Sequence, residues 1–246
     1  MYKEKVCVVT GGGRGIGRAI TETLLRNNYR VAVIDLDTGN IETEYKELVA
    51  RGKLRCFKGN IENRYEIEKT FNLINKQMGS FDVLVNNAGI LSTDNFLTET
   101  LEGWQRVINV NLTGTFICCK KAVDIMKKNR SGCIVNIVSI SGLKPSVFSS
   151  PSYCASKAGV IGMSRSLAAQ VAKYNIRVNS VAPSTTSSSM IDGLSEKVKE
   201  SYKKSVPLGR LALPQDVANA VEFLVSEKAS YITGEIVNVN GGLLMP

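Results

Sequence analysis

Tyr153 and Lys157 stand four residues apart in a segment with helical periodicity, so both side chains fall on one face. An ammonium held near a phenol stabilises the phenolate, which is expected to lower the tyrosine pKa from its ordinary value of about 10 toward the working range. The chain contains no histidine, so any general acid or base near neutral pH must be a Tyr, Lys, Cys or carboxylate. That excludes Ser-His-Asp hydrolysis and histidine-assisted dehydrogenation. Tyr153 and Lys157 are then the clearest acid/base couple. Ser139 closes the run Ile134 to Val138, and a residue at the carboxyl end of a strand faces the crevice in which open α/β sheets bind ligands.

A second constellation lies near the N-terminus. Thr10-Gly11-Gly12-Gly13-Arg14-Gly15-Ile16-Gly17 follows a short apolar run and opens a helical stretch. Glycines let the backbone turn sharply and approach a pyrophosphate, and the helix N-terminus offers N–H groups and a positive dipole to it. The strict G-x-G-x-x-G fingerprint is absent in every register. What stands is Gly11-x-x-x-Gly15-x-Gly17, with Gly12 and Gly13 as slack. Asp35 ends the next apolar run, 18 residues after Gly17. A carboxylate there accepts hydrogen bonds from the adenosine ribose hydroxyls and repels a 2′-phosphate. Arg14 pulls the other way, since a guanidinium can hold a 2′-phosphate. Asp35 would meet the discriminating group directly, so NAD(H) is expected over NADP(H).

The elements that must position these residues alternate. Short β-branched runs are expected as strands at Val6 to Val9, Arg30 to Ile34, Leu54 to Phe57, Val83 to Val85, Ile134 to Val138, Ile176 to Val181 and Ile236 to Val239. Helices are expected at Arg18 to Asn27, Asn63 to Gln77, Leu101 to Lys128, Ser152 to Lys173 and Pro214 to Ser226. Such alternation predicts an α/β fold: a Rossmann-type doubly wound parallel sheet of about seven strands with helices on both faces. No repeat or linker interrupts it, so residues 1–246 read as a single domain. The Ser/Thr-rich stretch Ser184 to Ser189 is the sole biased segment.

Composition agrees with a globular chain, at 43% hydrophobic and 22% charged residues. No apolar run reaches the roughly 18 to 20 residues of a membrane span, and the N-terminus enters an apolar run without a leader pattern. The six cysteines (Cys7, Cys56, Cys118, Cys119, Cys133, Cys154) form no Cys-x-x-Cys pair, which with the missing histidine leaves no zinc site expected. They read as reduced thiols of a cytoplasmic protein. The net charge of +9 comes from dispersed Lys and Arg, without the aromatic-interleaved stripe that nucleic acid would require.

In order along the chain stand Thr10 to Gly17, Asn86-Asn87-Ala88-Gly89, Asn109-Val110-Asn111, Ser139, Tyr153-x-x-x-Lys157, Asn179-Ser180-Val181-Ala182-Pro183, and Ile232-Thr233-Gly234 with Val239-Asn240-Gly241-Gly242. In these motifs the chain resembles the short-chain dehydrogenase/reductase family along essentially its whole length. The resemblance implies a tetrad of Asn111, Ser139, Tyr153 and Lys157. Tyr153 would exchange a proton with the substrate oxygen, and Ser139 would hydrogen-bond that oxygen. Lys157 would hold the nicotinamide ribose as well as act on Tyr153. Asn111, interrupting a long helix, would hold a water in a proton relay to Lys157. Gly11, Arg14, Gly15, Ile16, Gly17 and Asp35 would bind the dinucleotide. Asn60 and Ile61 would lie near the adenine, and Asn87, Ala88 and Gly89 along the adenosine side. Pro183, Thr186 and Ser188 would border the nicotinamide.

The resemblance further implies an oxidoreductase that interconverts a secondary alcohol and a ketone. The alternative it offers is an NADPH-dependent 3-oxoacyl-carrier-protein reductase, whose acidic carrier could meet Lys127, Lys128 and Arg130. A remoter one is a dinucleotide sensor without catalysis, which the filled tetrad opposes. A homotetramer is implied too, with Leu101 to Lys128 and Ser152 to Lys173 pairing across a dimer and Phe116, Val160 and Met163 serving that contact as well as the core.

Overall fold

The computed structural model describes residues 4–187 and 196–245. Seven strands, β1 (Val6–Thr10), β2 (Arg30–Asp35), β3 (Leu54–Lys58), β4 (Val83–Asn86), β5 (Gly132–Ile137), β6 (Ile176–Pro183) and β7 (Ile236–Val239), form a parallel sheet in the order 3-2-1-4-5-6-7. The order reverses between β1 and β4. In an open α/β sheet the crevice beyond the carboxyl ends at such a reversal is where ligands bind. The glycine turn after β1 and the Asn87–Gly89 stretch after β4 flank it.

The central strands are mostly apolar because both faces are covered, their buried polar residues Thr10, Asn86, Asn136, Asn179 and Ser180 lying toward the carboxyl ends or inside β5 and β6, and alternate side chains serve opposite faces. Val6 and Val8 of β1 join one cluster, with Phe71, Phe81, Met126 and Ile134. Cys7 and Val9 join the other, with Ile20, Leu24, Val221 and Leu224. On the second face lie α1 (Gly15–Arg26), the short α2 (Gly39–Glu44) and α3 (Lys46–Ala50), and, later in the chain, Pro214–Val225, which packs on α1.

The first face carries α4 (Arg64–Met78), where Ile67, Phe71, Ile74 and Met78 make one buried stripe. Asn63 caps it, its side-chain oxygen accepting from the Tyr65 and Glu66 amides at 3.1 and 3.2 Å. The same face carries α5 (Leu101–Ile108), α6 (Thr115–Asn129) and α7 (Pro151–Val171), with α8 (Glu196–Ser205) and α9 (Pro214–Val225) completing the chain.

Expected strands and helices are found within a few residues of their expected limits, with one informative difference. The helical stretch expected from Leu101 to Lys128, with an interruption at Asn111 implied by the family resemblance, is α5 and α6 joined by a π turn at Asn109–Gly114. A π turn carries an extra residue in its hydrogen-bonded ring and is found mostly at functional positions. Here Ile61 presses on Gly114, where a Cβ would come within 2.9 Å of its side chain, and the Thr115 hydroxyl donates back to the Asn111 carbonyl at 2.8 Å. The helices α2, α3 and α8 are not foreshadowed by periodicity: two are only 6 and 5 residues long, and the third is dominated by charge.

Candidate active site

The glycine turn is shaped by contacts that a longer side chain would prevent. Gly11 lies at φ +63°, and a Cβ on Gly17 would stand 1.9 Å from the Gly11 carbonyl oxygen and 2.4 Å from Asn87 Nδ2. The Asn87 side-chain amide donates to the Thr10 and Gly11 carbonyls at 3.2 and 2.9 Å. The Thr10 hydroxyl accepts from the Asn87 and Ala88 amides, both at 3.1 Å. Asn87 and Ala88 therefore hold the turn from the β4 side, with Ala88 packed against the first core cluster. Arg14 is exposed at the N-cap of α1, beside Gly15 at φ +54°, and Ile16 packs into the second cluster.

Asp35 ends β2 beside this turn. Its Oδ2 accepts from the Gly13 amide at 3.0 Å and its Oδ1 from the Asp37 amide at 3.4 Å. The carboxylate thus ties the end of β2 to the glycine loop as well as facing the crevice edge. Asp37 sits one turn beyond, with its carboxylate accepting from the Gly39 amide at 3.1 Å. Two carboxylates mark this corner.

At the other side of the crevice, Ser139, Tyr153, Lys157 and Asn111 converge although they come from three separate segments. Ser139 leads out of β5 in extended conformation, its side-chain oxygen accepting from the Ser141 amide at 3.1 Å, and it stands near enough to Tyr153 to favour the phenolate. Lys157 is only 6% exposed, and its ammonium donates to the Ile137 carbonyl at 2.9 Å. Asn111 is 1% exposed. Its Nδ2 donates to the Ile90 carbonyl at 2.9 Å and to Ser156 Oγ at 3.2 Å, and its Oδ1 accepts from the Ile90 amide at 2.8 Å. At Gly89 a Cβ would be tight, 3.0 Å from Asn111 Oδ1 and 3.6 Å from Lys157 Nζ. Asn111 and Lys157 therefore border one small space beside Gly89.

The protonation of the pair differs from the sequence expectation. Burial pushes the Tyr153 phenol up to about 12, and nearby Ser139 offsets this only in part. Burial also brings Lys157 down to about 8. The shared helix face holds, yet the ammonium is drawn to a main-chain carbonyl and lies 5.6 Å from the Tyr153 ring centre. The expected lowering of the phenol is therefore not found. Near neutral pH the phenol keeps its proton and the lysine its charge.

Other expected residues fall at varying distance from this centre. Asn60 turns its side-chain oxygen to its own loop, accepting from the Glu62 amide at 3.1 Å, and Ile61 is buried in the first cluster. Pro183 closes β6, and Thr186 is buried just beyond, bridged to Ala212. Ser188 lies outside the described residues. Of the three expected contact residues, Val160 is 2% exposed within its own protomer's core, Met163 is partly buried and Phe116 is 53% exposed. Sequence reasoning missed Thr10 as the brace of the turn and the cluster that starts α7. Ser150 caps that helix, accepting from the Tyr153 amide at 3.2 Å, and Pro151 follows at its first position. The Ser-Pro pair is a helix-start signal that could have found it.

The sequence profile of a family described as enoyl-(acyl carrier protein) reductase matches residues 11–244. The 3-oxoacyl-(acyl-carrier-protein) reductase FabG of Aquifex aeolicus is 41% identical over 241 residues, covering 97% of each chain. Carbonyl reductase family member 4 of Xenopus tropicalis is 43% identical over 239 residues, 97% of this chain and 98% of that one. A crystal structure of a 3-oxoacyl-(acyl-carrier protein) reductase from Brucella melitensis superposes with a TM-score of 0.91 at 32% identity, covering 100% of this chain and 93% of that one.

The close approach at Gly17 yields a direct test. Gly17→Ala should weaken NADH binding by at least about tenfold, or ~1.4 kcal/mol, in a fluorescence titration. Gly162→Ala, in α7 where a Cβ meets nothing within 4 Å, should leave binding unchanged. Equal affinity for the two variants would contradict the reading of the turn.

Proposed function

The chain belongs to the short-chain dehydrogenase/reductase family and is an oxidoreductase acting on CH–OH and carbonyl groups with a nicotinamide dinucleotide, and we propose that it reduces a ketone to a secondary alcohol with Tyr153 as the proton donor. The observation that carries this reading is the convergence of Ser139, Tyr153, Lys157 and Asn111 at the carboxyl end of β5, where burial keeps the Tyr153 phenol protonated. Residues 1–246 act as one dinucleotide-binding and catalytic domain in this reading.

The residues present fit the dinucleotide. The turn from Gly11 to Gly17 is packed so closely on Asn87, Ala88 and Val33 that only glycine fits at Gly17, and it opens directly into the N-terminus of α1, whose N–H groups and dipole suit a pyrophosphate. When bound, the dinucleotide supplies the hydride. Ser139 hydrogen-bonds the substrate oxygen and stabilises the charge that develops on it. Tyr153 gives its proton to that oxygen and runs in the opposite sense when an alcohol is oxidised. Lys157 would hold the nicotinamide ribose hydroxyls, its ammonium standing 5.6 Å from the centre of the Tyr153 ring. Asn111 and Lys157 share the space beside Gly89, which suits the water of a proton relay refilling Tyr153. Pro183 and Thr186 would border the nicotinamide.

Asp35 and Asp37 favour NAD(H), because a 2′-phosphate at their corner would be repelled. Arg14 is the group that would favour NADP(H). For the substrate, a 3-oxoacyl thioester on an acidic carrier protein is the reading favoured by what the FabG and Brucella relatives are named for. Exposed Lys127, Lys128 and Arg130 at the end of α6 offer such a carrier a basic surface. Polyols and small diketones are the competing class. The free cysteines fit a cytoplasmic location, and exposed Phe96, Leu97, Leu101 and Phe116 fit assembly into a homotetramer.

Tyr153→Phe should bind NADH as the parent does while its reductive turnover falls by about 10²-fold or more. In the parent, Tyr153 keeps its proton to about 12 and Lys157 its charge to about 8, so the reductive rate should stay level below pH 8 and fall above it. A Tyr153→Phe protein with near-normal turnover would refute the role of Tyr153. In the same assay NADH should support a higher kcat/KM than NADPH, and Asp35→Ala should narrow the difference; a strong NADPH preference in the parent would overturn the assignment of Asp35.

A further inference from the structure

The segment from Asn87 to Thr100 begins at the cofactor side of the crevice and ends in two consecutive caps. Thr100 caps α5, its hydroxyl accepting from the Gly103 amide at 3.1 Å. Glu99 reaches in the other direction. Its Oε2 accepts from the Ser152 amide of α7 at 3.2 Å, and its Oε1 accepts from the Ser152 hydroxyl. Adjacent residues thus hold the N-termini of the helix that leads into Asn111 and of the helix that carries Tyr153 and Lys157, and those two helices pack together.

The first turn of α7 is held from several sides. Ser150 and Ser152 are both fully buried, their hydroxyls 2.8 Å apart. The Ser150 amide donates to the Ser92 carbonyl at 2.9 Å, and Ser150 Oγ accepts from the Tyr153 amide at 3.2 Å. One turn further, Ser156 Oγ donates to the Tyr153 carbonyl at 2.8 Å while accepting from Asn111 at 3.2 Å. Tyr153 therefore sits between two tethers, Glu99 at the preceding residue and Asn111 through Ser156. A carboxylate suits the first, since the opening amides of a helix lack intrahelical partners and the dipole there favours negative charge.

We infer that Glu99 is a positioning residue for Tyr153, fixing the first turn of α7 so that the phenol meets Ser139 and the substrate oxygen. The inference rests on Tyr153 being the proton donor, as proposed above. Glu99 acts through Ser152 and touches neither the phenol nor a reacting atom, so its effect should appear in turnover and not in dinucleotide binding.

The test is steady-state ketone reduction by the full chain, with NADH affinity by fluorescence and thermal unfolding measured on the same samples. Glu99→Ala should lower kcat about tenfold or more, the scale of a misplaced acid, with NADH affinity and Tm close to the parent's. Glu99→Gln should recover most of that loss, because its amide can accept from the Ser152 N–H and hydrogen-bond the Ser152 hydroxyl. The inference is overturned by a Glu99→Ala kcat within about twofold of the parent's, by a loss that Glu99→Gln does not repair, or by a loss that follows a fall in Tm or NADH affinity. Should Glu99→Ala not fold, Ser152→Ala takes its place: a severalfold fall in kcat at unchanged NADH affinity supports the tether, and unchanged kcat overturns it. Tyr153→Phe run alongside separates the two readings. An active Tyr153→Phe protein removes the proton-donor reading itself, whereas an inactive one beside an unaffected Glu99→Ala removes only the role of Glu99.

Discussion

A lysine ammonium taken out of water at the carboxyl end of β5 is the constraint around which the crevice is organised. Isolated buried charge is costly, so such a group persists only with polar partners in place. Lys157 donates to the Ile137 carbonyl at 2.9 Å, which joins α7 to the end of β5 alongside the tethers at its first turn. Tyr153 lies one helical turn earlier, on the same helix face. Burial moves lysine and tyrosine in opposite senses, down to about 8 and up to about 12, because it disfavours the charged form of each. The lysine is still a cation at neutral pH. The tyrosine is a phenol with a proton to give.

The remaining elements bring the dinucleotide side to meet that fixed point. The sheet order puts the glycine turn after β1 next to the Asn87–Gly89 stretch after β4, at the reversal of strand order. Asn87 and Thr10 lock turn and stretch to one another, and Asp35 fastens the turn to β2. Gly89 then lets the chain pass against Asn111 and Lys157 with no side chain between. The π turn places Asn111 inward, where its amide grips both the amide and the carbonyl of Ile90. Each of these is a short-range fit, and together they leave few ways for the two halves of the crevice to sit.

Much of this was legible in the sequence because it follows from local periodicity. Apolar runs such as that of β1 mark buried parallel strands, and the Ile67, Phe71, Ile74 and Met78 spacing marks α4. The i, i+4 spacing of Tyr153 and Lys157 correctly puts them on one helix face. It carries no information on what else the ammonium meets, and the main-chain carbonyl of Ile137 is 20 residues away in the chain. The expectation of a lowered phenol failed for that reason. Long-range hydrogen bonds were equally invisible: Thr10 bracing residues 77 and 78 positions away, or Glu99 reaching Ser152 across 53. The π turn was foreshadowed only as an interruption at Asn111, and the close approach of Ile61 to Gly114 beside it is a tertiary contact that local periodicity does not carry.

The central claim is that this crevice carries a hydride to a carbonyl carbon while Tyr153 supplies the proton. Reduction of a 3-oxoacyl thioester with NADH deuterated at the transferable position, followed by mass spectrometry of the product, tests it most directly. The account predicts one deuterium on the new carbinol carbon for each NADH consumed, with the hydroxyl proton drawn from solvent. NADH consumption that leaves the carbinol carbon without deuterium, or no consumption with any 3-oxoacyl or simple ketone substrate, would contradict it.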